Sequence, residues 1–258
     1  MEHGFLDKYS DLHSPVHSLD PRIKVVAVIT FMLLVVSTPA TAFLSFAIYF
    51  LLIFLLVFLS GVPVSYVLKR SLVVVPFVLM VSIFLPFMPD HMGGSISLGV
   101  SSISISYRGL LTFWNVMAKG YIGVVTIILL SSTTSFPRLL QSLLSLRFPQ
   151  VFIVLLGFTY RYIFVLVDEA MRMKRARDSR MFGGRWLWHA GVVGNMVGTL
   201  FLRSFERGER IFAAMLSRGF DGTYTLPESY RIRSVDLIFI TLFIAITSVA
   251  RFSPVFLF

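Results

Sequence analysis

The sequence predicts an all-α, polytopic membrane protein, and three observations carry that prediction. Of the 258 residues, 56% are hydrophobic and 26 are phenylalanine. The mean hydropathy is +0.83, far above soluble-domain usage. Five apolar segments each approach the ~20 residues needed to cross a ~30 Å hydrocarbon core. Finally, 15 of the 23 Lys and Arg residues fall in one stretch, 132–234, against 7 acidic residues, so that stretch carries +8 of the overall +10. With no cysteine in the chain, disulfide frameworks, cysteine metal sites and thiol nucleophiles are excluded.

Residues 1–22 form a polar N-terminal segment with no evident cleavable signal peptide, so the first apolar segment reads as a retained anchor. The expected spans are 23–38, 41–60, 71–89, 107–131 and 235–253, the first four forming a transmembrane region over 23–131. The first two meet at an uncharged turn, Thr38-Pro39-Ala40-Thr41. Between the third and fourth runs DHMGGSISLGVSSISIS, a Gly/Ser-rich loop without Lys or Arg. Arg22, Lys24, Lys69 and Arg70 all lie at the other ends of these spans. By the positive-inside rule the N-terminus and everything in 132–234 are expected to be cytoplasmic, with 235–258 returning as the last span.

Two pieces of the basic stretch, 151–167 and 186–202, are apolar enough to pass for spans. Spanning would put Arg172, Lys174, Arg175, Arg177, Arg180 and Arg185 outside, against the rule that orders every other loop. They read instead as helices lying in or against the cytoplasmic membrane surface. Pro137 and Pro149 suit helix first turns, and Gly183-Gly184 and Gly219 suit helix stops. The insert therefore parses as helices near 137–147, 150–181 and 186–218: a domain of about three helices.

No G-x-x-x-x-G-K-[ST], H-E-x-x-H or G-x-S-x-G occurs, which points away from an enzyme. His3, His13, His17, His91 and His189 lack metal-ligand spacing and are expected at the surface. Lys119, deep in the fourth span, is either a pathway residue or the donor of a helix–helix hydrogen bond, and the second is favoured. Gly194 and Gly198 form one GxxxG, with Gly191 nearby, a weak signal for close helix approach.

Two charged helix ends are more specific: DEAMRMKRARDSR (168–180) and FERGERIFAAMLSRG (205–219). In both, carboxylates precede arginines at helical spacing, Asp168 and Glu169 before Arg172, and Glu206 before Arg210. Such pairs are worth only ~0.2–0.5 kcal/mol each, so a solvated face or attraction to anionic lipid would account for the charges. Neither explains why the ends resemble each other. Ala176-Arg177-Asp178 and Ser217-Arg218-Gly219 each put a small residue before an arginine near a helix terminus. A partner's surface can close around such a guanidinium, with Phe212, Met215 and Leu216 as apolar anchors. Two such ends suggest two docking points.

The chain resembles the transmembrane T component (EcfT family) of energy-coupling factor (ECF) transporters, of the CbiQ type found in cobalt/nickel uptake systems. The resemblance lies in HSPVHSLDPRIKVV (13–26), TTSFPRLLQSLLSLRFPQ (133–150), TYRYIFVLVDEAMRMKRARDSR (159–180) and RSFERGERIFAAMLSRGFDG (203–222). It implies a non-catalytic subunit, without cofactor or metal of its own, whose coupling helices transmit ATPase movement to a substrate-binding S component. The implied partners are two ABC-type (CbiO-like) ATPase subunits, a CbiM-like S component with a CbiN-like small subunit, and the bilayer, with no nucleic acid. Arg177 with Ala176, and Arg218 with Gly219, would be the ATPase contacts. Asp178 stands where the family pattern has glycine, and Ser217 where it has alanine, so the two ends are not expected to be equivalent. A vitamin ECF system and a stand-alone secondary transporter remain as alternative readings, the latter needing a midplane site.

Overall fold

The computed structural model describes residues 9, 12, 14–87, 95–97, 104–180, 186–222 and 233–256. His3, His13, His91, Gly183, Gly184 and the side chain of His189 lie outside the described residues. The fold is helical: α1 (Pro21–Ser37), α2 (Phe43–Ser60), α3 (Val64–Leu72), α4 (Val75–Ser82), α5 (Tyr107–Thr133), α6 (Phe136–Ser145), α7 (Gln150–Asp178), α8 (Trp186–Leu216) and α9 (Ser234–Phe256). A 3-10 turn spans Leu85–Phe87. In the Gly/Ser loop, β1 (Ser95–Ser97) pairs antiparallel with β2 (Ser104–Ser106), Ile96 opposite Ile105. Two compact units result. One holds α1 to α5, α6 as far as Ser142, and α9; the other begins at Leu143 and holds α7 and α8.

Among the described residues four helices, α2, α5, α7 and α9, are long and apolar enough to cross a membrane, or five elements if the bent pair α3–α4 is one span. The chain is a multi-pass membrane protein. With 17 residues, α1 is roughly 26 Å long, at the lower end of what spans. The third span was expected as one run over 71–89; it is broken instead, with α3 and α4 bent by 40° at Val73-Val74. Pro76 sits in the first turn of α4, where a missing N–H costs nothing, and an uninterrupted helix could not place it there.

In the first unit α9 packs against α1 and α2, and α5 packs against α1, α2, α3 and α4. The seam is aromatic. Phe31 of α1 meets Tyr49 of α2 edge-on at 5.5 Å and Phe243 of α9 at 5.6 Å. Tyr49 is wholly buried, and its hydroxyl is 3.2 Å from Thr38 Oγ1 in the α1–α2 turn, so the apolar body has a satisfied polar tip. Lys119 Nζ donates to the carbonyl of Val36 at 2.7 Å, a carbonyl left without an intrahelical partner at the end of α1. That is the helix–helix bond favoured from sequence. At the start of α5, a Cβ on Gly109 would come within 2.6 Å of the Leu85 carbonyl oxygen and 2.9 Å of Pro86 Cα. Gly109→Ala therefore forces backbone apart, and a fall in the chain's melting temperature of several degrees is expected.

Two sequence expectations are corrected. His17 is buried, not at the surface: Nε2 donates to the Tyr9 carbonyl at 3.0 Å and Nδ1 lies 2.7 Å from Ser14 Oγ. Pro15 does not prevent a helical turn there, since Ser18 N–H donates to the Ser14 carbonyl and proline is free to occupy its start. The GxxxG glycines, Gly194 and Gly198, together with Gly191, have nothing within 4 Å of a built Cβ, so no helix among the described residues approaches them closely.

The end of α6 holds one residue in strained backbone. Arg147 N–H donates to the Leu144 carbonyl and Phe148 N–H to the Leu143 carbonyl, both at 3.1 Å. This paired cap normally requires glycine at its left-handed position, yet Arg147 holds it at φ 63°. Arg147→Gly is expected to raise the unfolding free energy by about 0.5–1 kcal/mol, read as a small rise in thermal midpoint.

Candidate functional site

In the second unit α7 and α8 run antiparallel. Phe158 meets Phe220 at 6.5 Å near one end, and Glu169 pairs with Arg203 at 2.6 Å further along. Antiparallel packing puts the C-terminus of each helix at opposite ends of the pair. Arg177 lies 19 residues beyond Phe158, which sits opposite the end of α8, a separation of roughly 28 Å at 1.5 Å per residue. Both helices are apolar without being buried. Ile153 is the one buried residue of α7 among those described, and α8 has none. On α8, Phe201, Phe205, Phe212 and Leu216 are all more than half exposed and recur at helical spacing. This stripe runs toward Arg218.

Glu169 is the centre of the charged face. It accepts from Arg172 on its own helix and from Arg203 across the pair. The cross-helix bond is not apparent from spacing, because 34 residues separate its partners. Glu206 and Arg210 form a looser i, i+4 pair at 4.0 Å, with both side chains largely exposed, worth at most a few tenths of a kcal/mol. Between the helices a groove of about 720 Å³ is lined by Arg172, Ala176, Arg177, Arg180 and Arg203 over a floor that includes Met173 and Met196. Glu169→Ala leaves Arg203 without its partner across the pair, and a lower thermal midpoint is expected than for Glu206→Ala, which strips only an exposed pair.

The two helix ends are built differently. In the first, Ala176, Arg177 and Asp178 are the last three residues of α7. Arg177 Nε and Nη2 both donate to Asp178 Oδ1, at 3.0 and 2.8 Å, so much of the guanidinium's fork is already occupied. In the second, α8 closes with Phe220 N–H donating to the Met215 carbonyl and Gly219 N–H to the Leu216 carbonyl. Gly219 sits at φ 79°. These are the two hydrogen bonds of a Schellman cap, in which Gly219 is the left-handed residue and Arg218 the cap itself. Ser217 Oγ donates to the Ala213 carbonyl at 2.7 Å, and its small side chain stays against its own helix. Arg218 is exposed and makes no ion pair among the described residues. Of the expected anchors, Phe212 and Leu216 are exposed, whereas Met215 lines a second, smaller pocket against Phe158 and Tyr162 of α7.

Gly219→Ala places a Cβ in the left-handed region, with an expected cost of about 1 kcal/mol. Fraying of the last turn of α8 is the signature, visible as faster amide exchange at 216–220 while exchange in α7 is unchanged.

The described residues thus give several helices apolar enough to cross a membrane and, in the second unit, a charged, barely buried helix pair with arginine-bearing tips. Residues 13–228 match the family described as CbiQ, cobalt transport protein. The chain belongs to this family, the EcfT/CbiQ type of transmembrane component. It is 27% identical to an uncharacterized protein of Methanocaldococcus jannaschii over 96% of this chain and 85% of that one. It is 25% identical to the energy-coupling factor transporter transmembrane protein EcfT of Listeria innocua, over 86% of each chain. A putative fused cobalt transport protein CbiMQ of Methanocorpusculum labreanum is 36% identical over 44% of this chain and 19% of its own length.

Proposed function

We propose that this T component couples two ABC-type, CbiO-like ATPase subunits to a CbiM-like substrate-binding S component, for import of cobalt or nickel. The observation that supports it best is the pair of arginine-bearing helix ends, Arg177 and Arg218, at opposite ends of one antiparallel helix pair. One tip for each of two ATPase subunits suits that separation, and closure of the ATPases would then move α7 and α8 as a pair. The exposed apolar stripe of α8 suits contact with an S component, and α7 is read as lying along the cytoplasmic membrane surface with its charged end in water. The relative whose name describes fused CbiM and CbiQ supports the metal branch over a vitamin system.

The test is uptake of radioactive Co²⁺ into vesicles containing this chain with its ATPases and S component. ATP-dependent uptake that vanishes when the ATPases are omitted is the expected result. Uptake by this chain alone would overturn the coupling role in favour of a secondary transporter. Nickel or vitamin uptake under the same conditions would reassign the substrate and leave the coupling role standing.

A further inference from the structure

At the end of the helix bundle where α1 and α9 begin, a cavity of about 450 Å³ opens among residues that the coupling helices do not use. That volume is in the range of small-ligand sites, ~300–1,000 Å³. Asp20, Lys24, Thr134 and Asp236 line it and are between 2% and 6% exposed. Arg138 and Arg233 line its mouth, are exposed, and make no ion pair among the described residues.

The hydrogen bonds of this cluster are incomplete in a particular way. Asp236 is filled, Oδ1 accepting from Asp20 N–H and Oδ2 from Arg233 N–H. Asp20 caps α1 by accepting the Arg22 N–H on Oδ1 at 2.9 Å, while its Oδ2 is buried with no hydrogen-bond partner. Thr134 Oγ1 is likewise buried and unpartnered. Lys24 Nζ donates to the carbonyls of His17 and Thr133, leaving one of its three N–H groups. A buried carboxylate oxygen without a donor is costly, so Asp20 Oδ2 calls for a positively charged donor. A simple cation, however, would meet Lys24, Arg138 and Arg233. A simple anion would meet Asp20.

We propose that the cavity binds a zwitterion of the phosphoethanolamine class. Its ammonium donates to Asp20 Oδ2 and Thr134 Oγ1, and its phosphate is held by Arg138 and Arg233 at the mouth. Both charges are then answered, and the two unpartnered oxygens are filled. The cavity lies where α1 and α9 begin and α5 ends, and α5 and α9 are apolar enough to cross a membrane, so an aminophospholipid whose headgroup sits at their ends can present this chemistry without leaving the bilayer; the free phosphoamine is the other source. The inference rests on membrane embedding alone and stands whether or not the coupling role holds.

The test is native mass spectrometry of the full chain in detergent. Phosphatidylethanolamine competes there with its mono-, di- and trimethylated forms and with phosphatidylglycerol. Retention of the ethanolamine lipid over the trimethylated one by about tenfold is expected, the size of one charge-assisted hydrogen bond. Asp20→Asn, which keeps the capping oxygen, should bring that preference near one while sparing phosphatidylglycerol. Arg138→Gln with Arg233→Gln should weaken both lipids. Equal retention across the methylation series in the wild-type chain overturns the proposal, and that arm needs no variant to fold. So does a preference that Asp20→Asn leaves unchanged. A rise in thermal midpoint with free phosphoethanolamine, and no retained lipid, supports the same chemistry from the soluble source.

Discussion

Arg218→Glu is expected to abolish co-purification of the ATPase subunits, and Arg177→Glu only to weaken it. Arg218 is exposed at the tip of α8 and has no ion pair among the described residues. Its whole fork is available to a partner carboxylate, and reversal would place like charges together in the contact. Central charged anchors of this kind cost ~2–4 kcal/mol on truncation, and reversal costs no less, which corresponds to a loss of roughly 30-fold to 1,000-fold in affinity. Arg177 starts from a different state, because Asp178 already takes two of its donors. A partner must displace that carboxylate first, so the same reversal removes less. Asp178→Asn should therefore strengthen binding at the α7 end, and its effect should disappear in an Arg177→Glu background. Pull-down of the ATPases at matched expression, with ATP-driven uptake as a second readout, distinguishes these cases. Equal losses for Arg177→Glu and Arg218→Glu would mean that the Asp178 contact opens freely. Undiminished assembly of the double variant would remove the docking role itself.

What could be read beforehand follows from which signals are local. The helices α6, α7 and α8 begin and end within three residues of the expected positions, because Pro137, Pro149 and Gly219 punctuate them through backbone restrictions that need no tertiary partner. The bond from Lys119 to Val36 was anticipated in kind but not in partner. Features that depend on distant chain were not legible. The Glu169–Arg203 pair joins residues 34 apart, and the Asp20–Asp236 contact joins residues 216 apart. Lys24 served as an orientation charge in the sequence, yet it is buried and bonded to two carbonyls. The break between α3 and α4 has a local cause in Pro76, which the single expected span over 71–89 left out of account.

Asp236→Ala is expected to be the most destabilising of the single substitutions considered. The carboxylate is 3% exposed and ties the starts of α1 and α9 together, accepting the N–H groups of Asp20 and Arg233. Both donors sit at helix N-termini, where partial positive charge makes a carboxylate the natural acceptor. Alanine leaves the Asp20 N–H without its acceptor and takes a counter-charge away from buried Lys24. Removing one partner from a buried charged cluster costs ~3–5 kcal/mol, a large share of the ~5–15 kcal/mol that holds a domain folded. Asp236→Asn keeps one acceptor oxygen and the shape, so it should lose about half as much. Thermal unfolding of the purified chain in detergent measures both, with Arg70→Gln, an exposed charge on α3, as the reference. If Asp236→Ala unfolds within a degree of that reference, the α1–α9 junction is held by the aromatic seam of Phe31 and Phe243 and not by its charges.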